Sequence, residues 1–192
     1  MGGSSVRGTV TLAGAIPKRK AHWLGRDRES ARCAKLNEKG RLLRDEMIVA
    51  PGGEIANAFV WVKRGIERDA KFPVPEKAVL LDQKGCRYVP HVIGVRAGQK
   101  VEIKNSDPVI HNVRSYGRRN RPFNVGQPAG SKVREKVFRR AEKAIRIGCD
   151  VHKWMSAFIH VVEHPFFAVT GEDGRFDIRG LPEGKYTLGV WH

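Results

Sequence analysis

The chain lacks any run approaching 18 consecutive apolar residues, so no segment reads as a membrane-spanning helix. Its start also lacks the positively charged stretch followed by an apolar run that marks a secretory signal. Met1-Gly-Gly-Ser-Ser5 reads instead as a leader standing in place of a native export signal. The stop at Trp191-His192, straight after a strand-like run, suggests trimming at that end too. Helix-turn-helix, zinc-finger and RNA-recognition signatures are missing, and the few aromatics are not interleaved with basic residues. No specific nucleic-acid binding is therefore expected. There is no short-period repeat. Acidic residues are scarce beside basic ones, 20 against 36 in 192 residues, which leaves a net charge of +16.

That charge is uneven. From Arg114 to Arg146 there are eleven Lys/Arg and two Glu, a net +9 in 33 residues. So basic a chain favours acidic partners or surfaces. A solvated strand face without a partner is the plainer alternative.

Cysteine and methionine are rare, three of each, yet one of each falls in Gly148-Cys-Asp-Val-His-Lys-Trp-Met155. Cys149, His152 and Met155 are separated by two residues each. Thirty-eight residues before Cys149, His111 sits in Asn105-Ser-Asp-Pro-Val-Ile-His-Asn112. One thiolate, two imidazoles and a weak thioether form the donor set of a blue-copper centre, with thiolate and imidazoles in a near-trigonal plane and sulfur at long axial range. Zinc prefers four strong N or S ligands, and Met is a poor one. The plain alternative, a buried free Cys near a core Met and a surface His, leaves His111-Asn112 unexplained. If Cys149 binds metal, Cys33 and Cys86 remain, either as a disulfide suited to an oxidising compartment or as two separate buried thiols.

Strand-like segments dominate: 8–12, 58–62, 92–95, 100–104, 144–147, 157–162 and 186–190. They are short, several alternate with polar residues, and Gly, Pro and Asp turns separate them, the pattern of β-sandwiches. One short helix is expected from about Arg26 to Asn37, ending near Gly40, and Pro73-Val-Pro75 reads as a linker. The expected fold class is all-β.

Two resemblances refine this. Val169 to Leu188, with tight turns at Glu-Asp-Gly174 and Pro-Glu-Gly184 in which Gly supplies positive φ, resembles the carboxypeptidase-regulatory-like (transthyretin-like) β-sandwich family. Gly8-Thr-Val-Thr and Ile55-Ala-Asn-Ala-Phe-Val-Trp-Val62 are similar to that family's first two strands, while 18–50 is extra. Residues 77–164 resemble cupredoxins, Greek-key β-sandwich copper proteins. Tyr88-Val-Pro-His-Val-Ile-Gly-Val-Arg-Ala-Gly-Gln-Lys-Val-Glu-Ile-Lys-Asn-Ser-Asp107 looks like two family strands joined by a Gly turn. Ile110-His-Asn-Val113 is similar to the family's first ligand, and the ligand loop to that of amicyanin. These resemblances imply a transthyretin-like sandwich over 6–76 and 165–192 with a cupredoxin domain, 77–164, inserted. A single extended β domain is the simpler alternative.

The cupredoxin resemblance implies one type 1 copper ion held by His111, Cys149, His152 and Met155. Asn112 would tie the His111 strand to the ligand loop. Asp150 stands where the family often has a hydroxyl or small polar residue. His152 is expected to be the solvent-facing edge and the port for electrons. Trp154 belongs to an apolar docking patch, the dry shell of the site, or the core. His91, His160, His164 and His192 are left over. His160 and His164 would lie about 13 Å apart along a strand, too far to share a metal, though a separate surface copper site stays open.

The function expected is a copper electron carrier, not an enzyme, since the chain has none of the His-x-His pairs that an oxygen-reducing cluster needs. Copper storage or delivery, and a surface interaction module with a redox-silent cupredoxin domain, are the alternatives. The expected location is extracytoplasmic, periplasmic or secreted.

Overall fold

The computed structural model describes residues 3–67 and 69–192. The protein is all-β, with one α-helix, Arg28–Lys35, and a 3-10 turn, Glu38–Gly40. Among the described residues no helix is long and apolar enough to cross a membrane.

The chain forms two compact units. One comprises the stretch up to Lys18 with Glu46–Pro73 and Glu163–His192; the other comprises Arg19–Asp45 and Val74–Val162.

In the terminal unit, the Ser4–Thr9 strand pairs antiparallel with Arg175–Leu181. Phe59–Arg64 lies between Phe167–Val169 and Thr187–Trp191. Val60, Val62, Phe166, Ile178 and Leu181 form its core. Gly174 has φ 65°, and a Cβ there would come within 2.7 Å of the Val10 carbonyl, so the expected Glu-Asp-Gly turn needs its glycine on both counts. The second expected turn differs. Gly184 is not left-handed; Gly180 is, at φ 75°, and the Tyr186 hydroxyl closes the later turn by donating to the Pro182 carbonyl at 2.9 Å.

The second unit has two large sheets and a two-stranded one, Ala21–Trp23 with Arg41–Leu43. The five-stranded one runs Phe123–Gln127, His111–Ser115, Glu142–Gly148, Ser156–Val162, Val92–Arg96, with only the last pair parallel. The four-stranded one runs Arg134–Val137, Lys100–Asn105, Val79–Gln83, Tyr88–Val89. Strand alternation sends Val101 and Ile103 from the smaller sheet, and Val113, Ile145, Ile147, Ile159 and Val161 from the larger, into one core. The same alternation makes His111 and Cys149 inward-facing, because His111 is in phase with Val113 and Cys149 with Ile147.

Residues 19–45, which the sequence pattern assigns to the terminal module, cluster with the second unit. Asp27 caps the helix by accepting the Ser30 N–H at 2.7 Å. The excursion is fastened by a Cys33–Cys86 disulfide across 53 residues. Arg19 and Arg87 both reach the Asp45 carboxylate at 3.0 Å, and the Asn37 amide donates to the Gly85 carbonyl at 3.2 Å. A loop that long, when closed by a disulfide, loses unfolded-state entropy equivalent to about 4 kcal/mol.

The Glu142–Gly148 strand carries a bulge. Glu142 faces Val161 and Ile145 faces Ile159, so one extra residue is accommodated, and Ala144 takes φ 53°. This turns the Ala144 N–H toward Nδ1 of the buried His160, at 3.3 Å. Burial, and secondarily the charge of Lys143, push His160 down to about 3. The folded state therefore refuses a proton that the unfolded chain accepts from about pH 6.5 downward. His160 thus contributes stability above that pH, and the contribution is lost as pH falls toward 3. Chemical denaturation at about pH 7 and about pH 4.5 should show the wild type losing on the order of 2 kcal/mol more than His160→Gln over that interval. Equal losses in the two proteins would refute a neutral, buried His160.

Candidate metal centre

The ligand-type residues sit at one end of the second unit. His111 opens its strand, and Cys149 follows directly on the Glu142–Gly148 strand. His152 lies in the turn closed by the Met155 N–H donating to the His152 carbonyl at 2.9 Å. A single ligand nitrogen from each of His111 and His152 and the sulfur of Cys149 all lie within 4.8 Å of one another. The two Nδ1 atoms are 2.9 Å apart, and Cys149 Sγ is 3.9 Å from His152 Nδ1. A triangle of this size lets one ion touch all three at bond lengths of about 2.0–2.3 Å. Met155 is 1% exposed and shares the core cluster of Cys149.

All three donors are buried, His111 at 0%, His152 at 2% and Cys149 at 5% exposure. The expectation of a solvent-facing His152 is thus corrected. Its ring lies 5.1 Å from that of Trp154 and 4.7 Å from that of His111, and the exposed residues flanking it in the chain are Val151 and Lys153.

The electrostatics favour a thiolate. Burial alone pushes the Cys149 thiol up, but hydrogen bonds from the His111 and His152 rings and from the N–H groups of Asn112 and His152 outweigh it, bringing Cys149 down to about 5. The two backbone donors stand 3.5 and 3.4 Å from Sγ. For His111, burial disfavours the cation, but the Asp107 and Cys149 partners reverse that and raise it. Asp107 is raised by burial and lowered, on balance, by the His111 ring and the N–H groups of Cys86 and Gly85.

Asn112 and Asp150 meet, as their positions in the sequence suggest. Asn112 Oδ1 accepts the Asp150 N–H at 2.6 Å, and Asn112 Nδ2 donates to Asn124 and to Asp150 at 2.7 and 3.2 Å. The Tyr88 hydroxyl donates to the Asn112 carbonyl at 2.5 Å. The His111 strand and the ligand loop are tied together by side-chain amides and one carboxylate.

Asp107 is a site residue that sequence reasoning missed. Its carboxylate is 2.8 Å from His111 Nε2 and accepts the N–H groups of Gly85 and Cys86 at 2.6 and 2.7 Å. Holding Nε2 leaves Nδ1 turned to the cluster. Its place four residues before His111 was the available signal. Asn105 steadies the same loop, donating to the Val109 and Gln127 carbonyls and accepting the Asp107 N–H. On the other side, Trp154 Nε1 donates to the Cys86 carbonyl at 3.1 Å. The Cys86 peptide units thus reach His111 through Asp107 and His152 through Trp154. Asp107 and His111 also lie near the Cys86 sulfur, but that sulfur is bonded to Cys33 and is no thiolate.

The leftover histidines are dispersed. His91 Nδ1 is 2.9 Å from the Ser156 carbonyl, His160 meets Ala144, and His164 Nδ1 accepts the Phe166 N–H at 3.3 Å. His192 is lowered by burial. Among the described residues, neither group of three or more close donors includes any of the four.

No protein-family model matches the sequence, and no curated protein matches it. Solved structures do. The Cu-containing nitrite reductase of Thermus scotoductus is 20% identical over 53% of this chain, with a TM-score of 0.43, and the match spans only 26% of that enzyme. A purple cupredoxin from Nitrosopumilus maritimus is 21% identical over 45% of this chain and 100% of its own, at 0.38. Amicyanin from Paracoccus versutus is 19% identical over 54% of this chain and 97% of its own, at 0.40.

One test needs no metal. In metal-free protein the ultraviolet thiolate absorbance of Cys149 should persist through neutral pH and fall with a midpoint near 5. A midpoint near the ordinary thiol value of about 8.5 would show that the imidazoles and N–H groups do not stabilise the anion.

Proposed function

We propose that the protein is a mononuclear type 1 copper protein that carries single electrons between partners. His111, Cys149 and His152 would hold the ion, with Met155 as a weak thioether donor. The observation that carries this reading is the convergence of a buried, thiolate-favouring cysteine and two imidazole Nδ1 atoms within 4.8 Å. A soft sulfur with two imidazoles suits both copper oxidation states, whereas zinc would lack a fourth strong ligand. Copper bound there would supply a one-electron couple.

The protein's own groups do the rest. Asp107 fixes the His111 ring, Asn112 and the His152 N–H steady the sulfur, and Trp154 packs beside His152. Burial excludes water and strengthens each of these contacts. Donors held from several elements move little between oxidation states, which keeps the reorganisation cost of electron transfer small. The terminal unit, with its Ser4–Thr9 strand paired to Arg175–Leu181, we read as a carboxypeptidase-regulatory-like sandwich, and the copper domain as 77–164 together with residues 19–45. The disulfide suits an extracytoplasmic, oxidising location, and the +16 charge an acidic redox partner.

Copper(II)-loaded protein should show an intense visible thiolate-to-copper band that vanishes in Cys149→Ser, while Met155→Leu keeps copper and raises the reduction potential. A colourless copper adduct of the wild type would contradict the proposal, and loss of binding in Met155→Leu would contradict the weak-donor role. Replacing the disulfide, Cys33→Ala with Cys86→Ala, should weaken copper affinity roughly 10–100-fold by loosening the supports of both imidazoles. Unchanged affinity in an equilibrium competition assay would show that Cys86 positions neither.

A further inference from the structure

The burial of His152 removes the expected port, so the exposed surface nearest the ligand-bearing strand gains importance. A Cβ added to Gly148, the residue before Cys149, would lie 3.4 Å from the Tyr116 ring, which is 40% exposed. Tyr116 therefore sits at the surface directly over the strand that delivers the thiolate.

From Tyr116 the surface continues into two depressions of about 730 and 790 Å³ that share Arg118 and Arg119. The larger has Arg118, Arg119 and Arg121 on one wall and Lys136, Arg139 and Arg140 on the other, with no acidic lining residue. Among the described residues none of these arginines is in an ion pair. The smaller depression does contain an acid, Glu142, but its carboxylate is turned to the loop backbone. It accepts the N–H groups of Arg118, Arg119 and Asn120 at 2.6, 3.1 and 2.9 Å. Asn120 in turn exchanges bonds with the Arg140 main chain at 2.8 and 3.1 Å, so the two walls are fastened to each other. Like charges are thus held together in a groove of ligand size by backbone contacts, with Arg119 Nη1 donating to the Ala141 carbonyl at 2.9 Å and, among the described residues, none of the guanidinium groups paired to a carboxylate.

Single-stranded nucleic acid would need free aromatic faces to stack on. Here Lys136 lies 4.8 Å over the Phe123 ring, and Arg114 and Arg146 lie 5.2 and 5.0 Å from the Tyr116 ring. The aromatic faces are already taken by cations. Carboxylates, by contrast, match the forked guanidinium in pairs.

We propose that this groove binds an acidic segment of a partner protein and that it orients the partner over Tyr116, on the Cys149 strand. The electron-exchange part rests on the copper reading above; the binding part does not. A short all-glutamate peptide, titrated into the full chain and followed by amide chemical shifts, should perturb residues 116–121 and 136–143 and bind more weakly as salt rises. The Arg118→Glu, Arg121→Glu, Arg139→Glu triple variant should lose about tenfold or more in affinity. A control with Arg7→Glu and Arg175→Glu, in the terminal unit, should bind as the wild type does. With copper loaded, oxidation of the reduced protein by ferricyanide passes one electron to give ferrocyanide and moves no proton. The triple variant should slow that reaction about tenfold, leave a cationic cobalt oxidant no slower, and keep the visible band. Equal peptide affinity in wild type and triple variant, or tighter binding of an oligonucleotide than of the peptide at equal salt, would overturn the binding proposal. Unchanged ferricyanide rates with the band intact would overturn the port, whereas absence of the band in the wild type would instead overturn the copper reading.

Discussion

A buried sulfur that prefers to be an anion is the constraint on which the rest of this unit depends. Burying a charge without partners is costly, so the chain must bring donors to it. The donors to Cys149 come from three places: the N–H of Asn112 at the start of one strand, the N–H of His152 in the ligand loop, and the two imidazoles. Each imidazole is then held from behind, His111 by Asp107 and His152 beside Trp154, and both supports end on Cys86. The helix-bearing excursion of residues 19–45 is disulfide-bonded to that same residue. What looks like an appendage in sequence is therefore the outer brace of the cluster.

Enclosure has a consequence at the surface. With His152 buried, Tyr116 is an exposed ring against the strand that leads to Cys149, bordered by arginines whose loop is pinned by Glu142. Eight of the eleven Lys/Arg between Arg114 and Arg146 line the two depressions beside it. Charge and enclosure point to the same face.

Much of this was legible in the residues. The Cys-x-x-His-x-x-Met spacing is local, so a single turn brings its members together, and strand alternation makes His111 point where Val113 points. The all-β class followed from short alternating segments broken by turn residues. What could not be read needs distances across the chain. Asp107 was passed over because a carboxylate before Pro108 looks like a turn residue until its bonds to Gly85 and Cys86 are seen. Residues 19–45 cluster with the second unit because the Cys33–Cys86 pairing, open in the sequence as a disulfide or two thiols, is formed, and because Arg19 and Arg87 share Asp45, a contact no local pattern announces. His152 looked exposed by its mid-loop position, yet Trp154 and His111 pack against it. The left-handed residue near the last hairpin proved to be Gly180 rather than Gly184, since the Tyr186 hydroxyl closes that turn without it.

The central claim is that Cys149, His111 and His152 bind one copper ion together. X-ray absorption fine structure of the copper-loaded protein tests it most directly. The account predicts one short sulfur bond and two imidazole nitrogens in the inner shell, with the sulfur contribution missing in Cys149→Ser. A shell of nitrogen and oxygen alone in the wild type would contradict it.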